Sequence, residues 1–348
     1  MTELVGAPVL RLDRATALAF RLERHFLAGP RASSVRDVVE RLVAVPSWSG
    51  DANQAIGLRM HEPTADALAT AALRDEVLRT YSFRGAVHLM TPRQASIHLA
   101  LRQVGRQWEL PSWQQHYELT SADWPALADS VAHALEGGPL TRAELAENVS
   151  GNARFAHLGK ALGHGSETLL KALAWTGALR IGPVRDGERT FATLSGVAGW
   201  DASPDLDDAG TAAVLAYLDA YGPARRERIH YWLGEGLSAG KKRIDRWIDA
   251  LGDRVAHVEV DGSPAIAASI HLDALSSANA SEETILLPGL DQWVLGPGTA
   301  DDWIVPPAVR PLVTQGAGLV LRGGALVGTW KGSIDDPEIR WTEAPESR

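Results

Sequence analysis

No cysteine occurs among the 348 residues. That absence excludes disulfides, cysteine-ligated zinc or iron–sulfur centres and thiolate nucleophiles together. It leaves the redox compartment open, because such a chain folds in either state. Long apolar runs are missing too, none approaching the roughly 18 residues of a membrane-spanning helix. Met1-Thr-Glu-Leu4 starts without the basic segment and apolar run of a leader peptide, so a soluble, cytoplasmic protein with no membrane partner is expected. Metal-binding spacing is also lacking: the eleven histidines include no His-x-x-x-His or His-Glu-x-x-His. His157 and His164 could share a helix face, but without an acidic partner the pair is not expected to hold a metal. The glycine-rich pieces at Gly318 and Gly323-Gly324 lack the Lys-Ser/Thr of a phosphate-binding loop, so no cofactor is expected either.

A positive net charge is the last absence. The chain carries −9 overall, which works against binding a polyanion unless Lys and Arg gather locally. They do: from Gly222 to Arg254 eight Lys/Arg face five Asp/Glu, a net of +3. Arg11, Arg14, Arg21, Arg24 and Arg31 cluster early, and the stretch from Asp335 is acidic. Either these are solvated helix faces, or one basic side meets a polyanion while the rest of the surface is acidic.

What is present is an ordinary globular balance, 45% apolar and 22% charged, in a chain long enough for about two to three domains. It contains an internal repeat. Gly138-Pro-Leu-Thr-Arg142 opens a helical pattern, a second helix runs through Leu169 to Trp175, and a strand pair turns at Asp186-Gly187. Gly222-Pro-Ala-Arg-Arg226 opens the same order, with a second helix over Lys241 to Leu251 and strands turning at Asp261-Gly262. Asp-Gly between alternating apolar residues is a strong hairpin signal, because both positions tolerate positive φ. Helix, helix, hairpin is the order of a winged helix, with the two Asp-Gly pairs as wing tips. A more diverged copy runs over Arg14 to Phe26, Val35 to Val45 and Thr64 to Leu73, with a strand pair around Tyr81-Ser-Phe-Arg84. From Thr284 apolar strands broken by Gly and Pro predict a small β domain. Linkers are expected near Glu109–Ser121, Gly196–Asp208 and Ser276–Glu283.

Three blocks carry a resemblance: Arg79-Thr-Tyr-Ser-Phe-Arg-Gly-Ala-Val-His-Leu-Met90, Leu286-Leu-Pro-Gly-Leu-Asp-Gln-Trp-Val-Leu-Gly296 and Val327-Gly-Thr-Trp330. In order and spacing they resemble the tandem winged-helix DNA-binding family that includes bacterial DNA glycosylases acting on bulky alkylation adducts and interstrand crosslinks. Weaker similarity joins them from about Leu10 to about Trp330. The resemblance implies an α+β fold of three tandem winged-helix units followed by a small β-rich C-terminal domain. Expected boundaries are 1–120 for the first unit with a helical extension, 121–200, 201–275, and 276–348 for the β domain with its acidic tail. It also implies a monomeric, nucleoid-associated glycosylase that removes N3- or N7-alkylated purines from duplex DNA with water as nucleophile. A non-catalytic DNA-binding or adduct-binding protein on the same scaffold is the alternative, and a protein–protein adaptor would suit the acidic net charge.

Glycosylases of this family hold the attacking water with a Gln-x-Gln motif after the second helix. Here Pro46 and Trp48 stand where the glutamines belong, in a segment about one residue shorter. An alkylated purine is a cationic leaving group, so an enzyme mainly positions water and stabilises charge on the sugar. Asp51, the only acidic residue between Glu40 and Glu62, could do so, with Asn53 or Gln54 orienting the same water. Otherwise Asp51 caps a turn. Trp48 either stacks on a base or fills core. Read as one strand, Arg84 and His88 share a face, where Arg84 would meet a phosphate and His88 a phosphate or base edge. A buried histidine satisfied by a backbone carbonyl is the other reading. Lys241, Lys242, Arg243 and Arg246 crowd a helix whose Ile244, Trp247, Ile248 and Leu251 point inward, so its charges either track a DNA strand or simply face water.

Overall fold

The structure, a computed structural model, describes residues 9–48, 51–164, 166–202 and 204–342. Ser49 and Gly50 of the expected catalytic loop and the end of the acidic tail lie outside the described residues. The fold is mixed α+β, in two compact units. One comprises Met1–Ala65, Thr211–Gly234 and Gly240–Arg348, the other Asp66–Gly210 and Glu235–Ala239.

In the second unit the helix Asp123–Ala134 precedes a short strand, Leu140–Thr141, and the helix Arg142–Ser150. Thr141 and Glu144 form a reciprocal capping box at that helix start, which satisfies two backbone donors that a helix N-terminus leaves over. After the helix Thr168–Trp175 the strands Arg180–Arg185 and Glu188–Ala192 pair antiparallel. Their turn places Asp186 at φ 52 and Gly187 at φ 82, the paired positive φ that the Asp-Gly signal predicts. Leu78–Tyr81 and Val87–Met90 form a further hairpin with Thr80 opposite His88. Five strands of this unit lie side by side in the order Val87–Met90, Leu78–Tyr81, Arg180–Arg185, Glu188–Ala192, Leu140–Thr141.

Two sequence expectations differ here. The linker expected at Glu109–Ser121 holds a helix, Pro111–Tyr117, started by a proline whose fixed φ suits the first helical position. Trp113 and Tyr117 of that helix pack their rings 5.5 Å apart, beside Trp124. His157 and His164 do not share a helix face, because Ala153–Leu158 is a 3₁₀ segment and His164 is extended at the end of Gly159–Gly163.

In the first unit the helix Lys241–Ala250 leads into the hairpin Val255–Val260 and Ser263–Ala268, turned by Asp261 at φ 48 and Gly262 at φ 74. Leu10–Leu12 adds a third strand, parallel to Val258–Val260, which no local signal announced. Thr284–Leu287, Gly318–Arg322, Ala325–Gly332 and Pro337–Trp341 make a four-stranded antiparallel sheet in that order. Leu18 and Leu22 of the helix Arg14–Arg24 share one core with Leu287, Leu319, Leu321 and Trp293. Trp293 is fully buried and donates its indole N–H to the Gly324 carbonyl at 3.0 Å. Truncating such a side chain to alanine costs about 3–5 kcal/mol.

Candidate active site

The loop in which the resemblance places the chemistry is set by a strained turn. Ser34 caps the helix Val35–Leu42, and the helix stops at Val43, held at φ 69 and ψ −51 with Ala44 N–H donating to the Leu42 carbonyl at 2.8 Å. This three-residue turn has the less stable hand, and a β-branched residue in it costs on the order of 1–3 kcal/mol. Tyr221, fully buried, donates its hydroxyl to the same Leu42 carbonyl at 2.9 Å and so holds the turn. Such strain persists only where surrounding packing over-determines it.

Beyond the turn, Val45–Pro46 forms a short buried strand. Trp48 is 44% exposed, so it is not a core filler. The chain turns into the helix Ala52–Gly57 at Asp51, whose Oδ1 accepts the Gln54 N–H at 3.1 Å. Of the two readings of Asp51, the capping role is present. It uses one carboxylate oxygen, and Oδ2 has no hydrogen-bond partner among the described residues. Asn53 is exposed and Gln54 half-buried.

Opposite this loop stands the second family block. Pro288 and Gly289 line, together with Asp51, Gln54, Gln315 and Trp330, a cleft of about 520 Å³ that is largely open to solvent. Gly289 lets its backbone lie against Gly316, another lining residue: a Cβ there would sit 1.9 Å from the Gly316 carbonyl oxygen. Gly318 has the same reason, since its Cβ would lie 2.5 Å from the Trp330 ring. Trp330, from the third block, donates its indole N–H to the Leu287 carbonyl at 2.8 Å. Two of the three blocks recognised in the sequence therefore meet beside the loop.

A buried ion pair, which sequence reasoning missed, ties loop and block together. Arg59 and Asp291 are both fully buried and bonded in bidentate fashion at 2.7 and 2.9 Å. Arg59 also donates to the Ala55 carbonyl at 2.7 Å, and Asp291 accepts the Trp293 N–H at 2.7 Å. One contact thus fixes the helix after Asp51 to the start of the helix Gln292–Leu295. A charged pair in low dielectric survives only with such fork geometry and added hydrogen bonds. The acidic residue within Pro-Gly-Leu-Asp291 was the available signal, without any indication of its partner.

In the second unit Arg84 and His88 do not occupy one strand face. Arg84 sits in the turn between Leu78–Tyr81 and Val87–Met90, at φ 53 and ψ 21, and is exposed. His88 is on the second strand and buried, with Nδ1 3.0 Å from Ser82 Oγ and 3.1 Å from the Ala86 carbonyl. Burial pushes its pKa down to about 4, which keeps the ring neutral. The Gly85 kink, at φ 70, is what breaks the strand between the two residues. In the first unit the helix Lys241–Ala250 buries Ile244, Trp247 and Ile248, while Lys241, Lys242 and Arg246 are exposed and Arg243 is half-buried. Among the described residues no group of three or more His, Asp or Glu side chains is disposed to hold a metal ion.

Residues 14–338 match the family described as "DNA glycosylase AlkZ-like". The interstrand DNA cross-link repair glycosylase of Streptomyces sahachiroi is 33% identical over 337 residues, covering 94% of this chain and 90% of that protein. The structure of the Streptomyces sahachiroi DNA glycosylase AlkZ superposes with a TM-score of 0.89 at 30% identity, covering 97% of this chain and 93% of that one. This chain belongs to the AlkZ-like DNA glycosylase family.

Proposed function

We propose that the protein is a monofunctional DNA glycosylase that releases bulky N3- or N7-alkylated purines, crosslinked ones included, from duplex DNA, with water as nucleophile and no cofactor. The observation that carries this reading is the family match across residues 14–338, joined to a solvent-open cleft lined by Asp51 and Gln54 and by residues of two family blocks. In that cleft Asp51 takes the proton of the attacking water, Asn53 and Gln54 orient it, and Trp48 stacks on the adduct or a neighbouring base. Lys241, Lys242, Arg243 and Arg246 hold phosphates along one helix face, and Arg84 holds another from its turn. His88, neutral and buried, supports the Arg84 turn instead of touching DNA.

The DNA-binding scaffold is read as three winged helices with a C-terminal β domain, at 1–120, 121–200, 201–275 and 276–348. Support comes from the repeated order of helix, bridge, helices and hairpin. Leu140–Thr141 pairs with its hairpin in the second copy, and Ala224 bridges Ile266 in the third. Such a protein acts as a monomer on chromosomal DNA. Among the described residues no helix is long and apolar enough to cross a membrane.

The test is release of free base from a panel of N7- and N3-alkylated duplexes, including a crosslinked one, followed by chromatography. Release from at least one adduct at a rate above spontaneous depurination is expected. A protein that binds these duplexes and releases nothing fits the second reading, a non-catalytic adduct binder. That reading is favoured by Pro46, which the resemblance sets roughly where a family glutamine belongs and which lies buried in its strand.

A further inference from the structure

Three arginines of the second unit each answer a carboxylate: Arg154 binds Asp123, Arg180 binds Asp75 and Arg189 binds Glu167, at 2.5, 2.6 and 2.8 Å. Arg79 does not. Its side chain is half-buried in the strand Leu78–Tyr81, its Nε is buried without a hydrogen-bond partner, and no carboxylate pairs with its guanidinium among the described residues. Burial, and after it the nearby charge of Arg189, pushes its pKa down from the ordinary arginine value. Holding a desolvated cation beside a like charge works against folding, so an arginine kept there is expected to serve a ligand.

The sheet register shows what surrounds it. Arg79 stands opposite Ile181, and Ile181 opposite Phe191, so Arg79, Tyr81, Ile181, Phe191 and Arg189 lie on one sheet face. The helix Thr168–Trp175 packs against the same strand. It carries Lys171, half-buried, whose Nζ stands 5.8 Å from the centre of the Tyr81 ring. Arg189 donates to the Tyr81 hydroxyl at 3.3 Å. Lys171 also has no carboxylate partner among the described residues, and Glu167, one turn earlier, is bonded to Arg189. The turn with exposed Arg84 adjoins this group: a Cβ on Gly85 would sit 3.5 Å from Lys171 Cδ.

We propose that Arg79, Lys171 and Arg189, gathered about Tyr81, form a binding site on the second unit for phosphodiesters of a duplex DNA backbone, with Arg84 at its rim. This deepens the proposed function and rests on it for the choice of DNA among polyanions. Three cations against one carboxylate leave an excess of positive charge in a chain whose net charge is −9, which is the local clustering that phosphate binding needs. Arg79 supplies a planar fork that matches two phosphate oxygens, and Lys171 a point charge. Tyr81, 1% exposed, is the fixed floor: its ring attracts the ammonium and its hydroxyl accepts from Arg189. Glu167 holds Arg189 in place, so Arg79 and Lys171 are the charges with no use inside the fold. Such a site reads no base edge. It adds affinity to every sequence and nothing to the choice of adduct.

The experiment uses the full chain and a fluorescein-labelled, undamaged duplex. R79Q/K171Q should bind it about tenfold to a hundredfold more weakly near about 0.1 M salt, with the plot of log affinity against log salt flatter by about 1.8, two contacts at about 0.9 each. K171Q alone should flatten it by about half as much. Urea denaturation gives the reading that a purely structural role would not: R79Q should unfold at the parental urea concentration or above it, because a desolvated charge beside Arg189 is removed. A less stable R79Q, or parental affinity and salt slope in the double variant, overturns the proposal. Inorganic phosphate that stabilises the parent at matched ionic strength, with duplex binding by the double variant unchanged, gives the site to a free anion and also overturns it. A parent that binds duplex, loses that binding in the double variant and releases no base from any adduct sinks the glycosylase reading and leaves this site standing.

Discussion

Asp51→Asn separates the two jobs that one carboxylate can hold. The Asp51 side chain caps the helix Ala52–Gly57 through the Gln54 N–H at 3.1 Å, and asparagine caps as well as aspartate does, so stability should move by no more than about 0.5 kcal/mol. Asp51→Ala, by contrast, removes the acceptor and should cost about 1 kcal/mol. Catalysis does not follow that ranking. Asparagine has no basic lone pair for a water proton, so Asp51→Asn should slow base release about a hundredfold, equivalent to about 2.7 kcal/mol of transition-state stabilisation, and Asp51→Ala should be no better. Neither change should alter duplex affinity, because Asp51 carries no phosphate-binding charge. The assay is single-turnover release of an N7-alkylated purine from a duplex, paired with fluorescence anisotropy for binding and urea denaturation for stability. Parental release by Asp51→Asn, with affinity and stability intact, would reduce the residue to a cap and refute the catalytic argument.

Replacing Lys242 and Arg246 together by Glu should weaken binding to every duplex sequence alike and flatten the dependence of affinity on salt, since each lost phosphate contact releases fewer counterions. An unchanged salt slope would remove the Lys241–Ala250 helix from the interface. Arg59→Met should destabilise the first unit by about 3–5 kcal/mol, because the fully buried Asp291 would be left without its cation; denaturation detects this, and a loss under about 1 kcal/mol would contradict the burial. Adding Asp291→Asn to that variant should recover part of the loss, as removing both charges is cheaper than removing one. His88, whose pKa falls from 6.5 to about 4 on burial, contributes a penalty that is absent above the unfolded pKa and grows as pH falls from about 6.5 towards 4. It amounts to about 2 kcal/mol at about pH 5. His88→Gln should therefore show a shallower loss of stability between about pH 7 and pH 5 than the parent, and equal slopes would mean that the ring protonates in the folded state.

Much of this was legible in the chain. The Asp-Gly pairs at 186 and 261 announced their hairpins, since a turn with two positive φ values admits few residue types. The apolar spacing Ile244, Trp247, Ile248, Leu251 named the buried face of its helix, and the residues left over were the exposed cations. The strand reading of Arg84 and His88 failed for a local reason: Gly85 at φ 70 and Arg84 at φ 53 turn the chain where a continuous pleat was expected. Trp48 was left open between core and surface because a tryptophan fits both, and only packing decides.

The sequence by itself determined the main helices, the two Asp-Gly turns and the family, because these depend on side-chain period, on turn chemistry and on motifs local to the chain. It also placed a single carboxylate, Asp51, in the loop at 45–54. What only the tertiary structure decided is which distant groups that loop meets. The pairing of Arg59 with Asp291 spans 232 positions, and Leu10–Leu12 finds its partner strand at Val258–Val260. The approach of Gly289 to Gly316 depends on a missing Cβ that no pattern advertises. Such contacts arise from the joint fit of many buried surfaces, each worth little alone, so no window of the chain contains them.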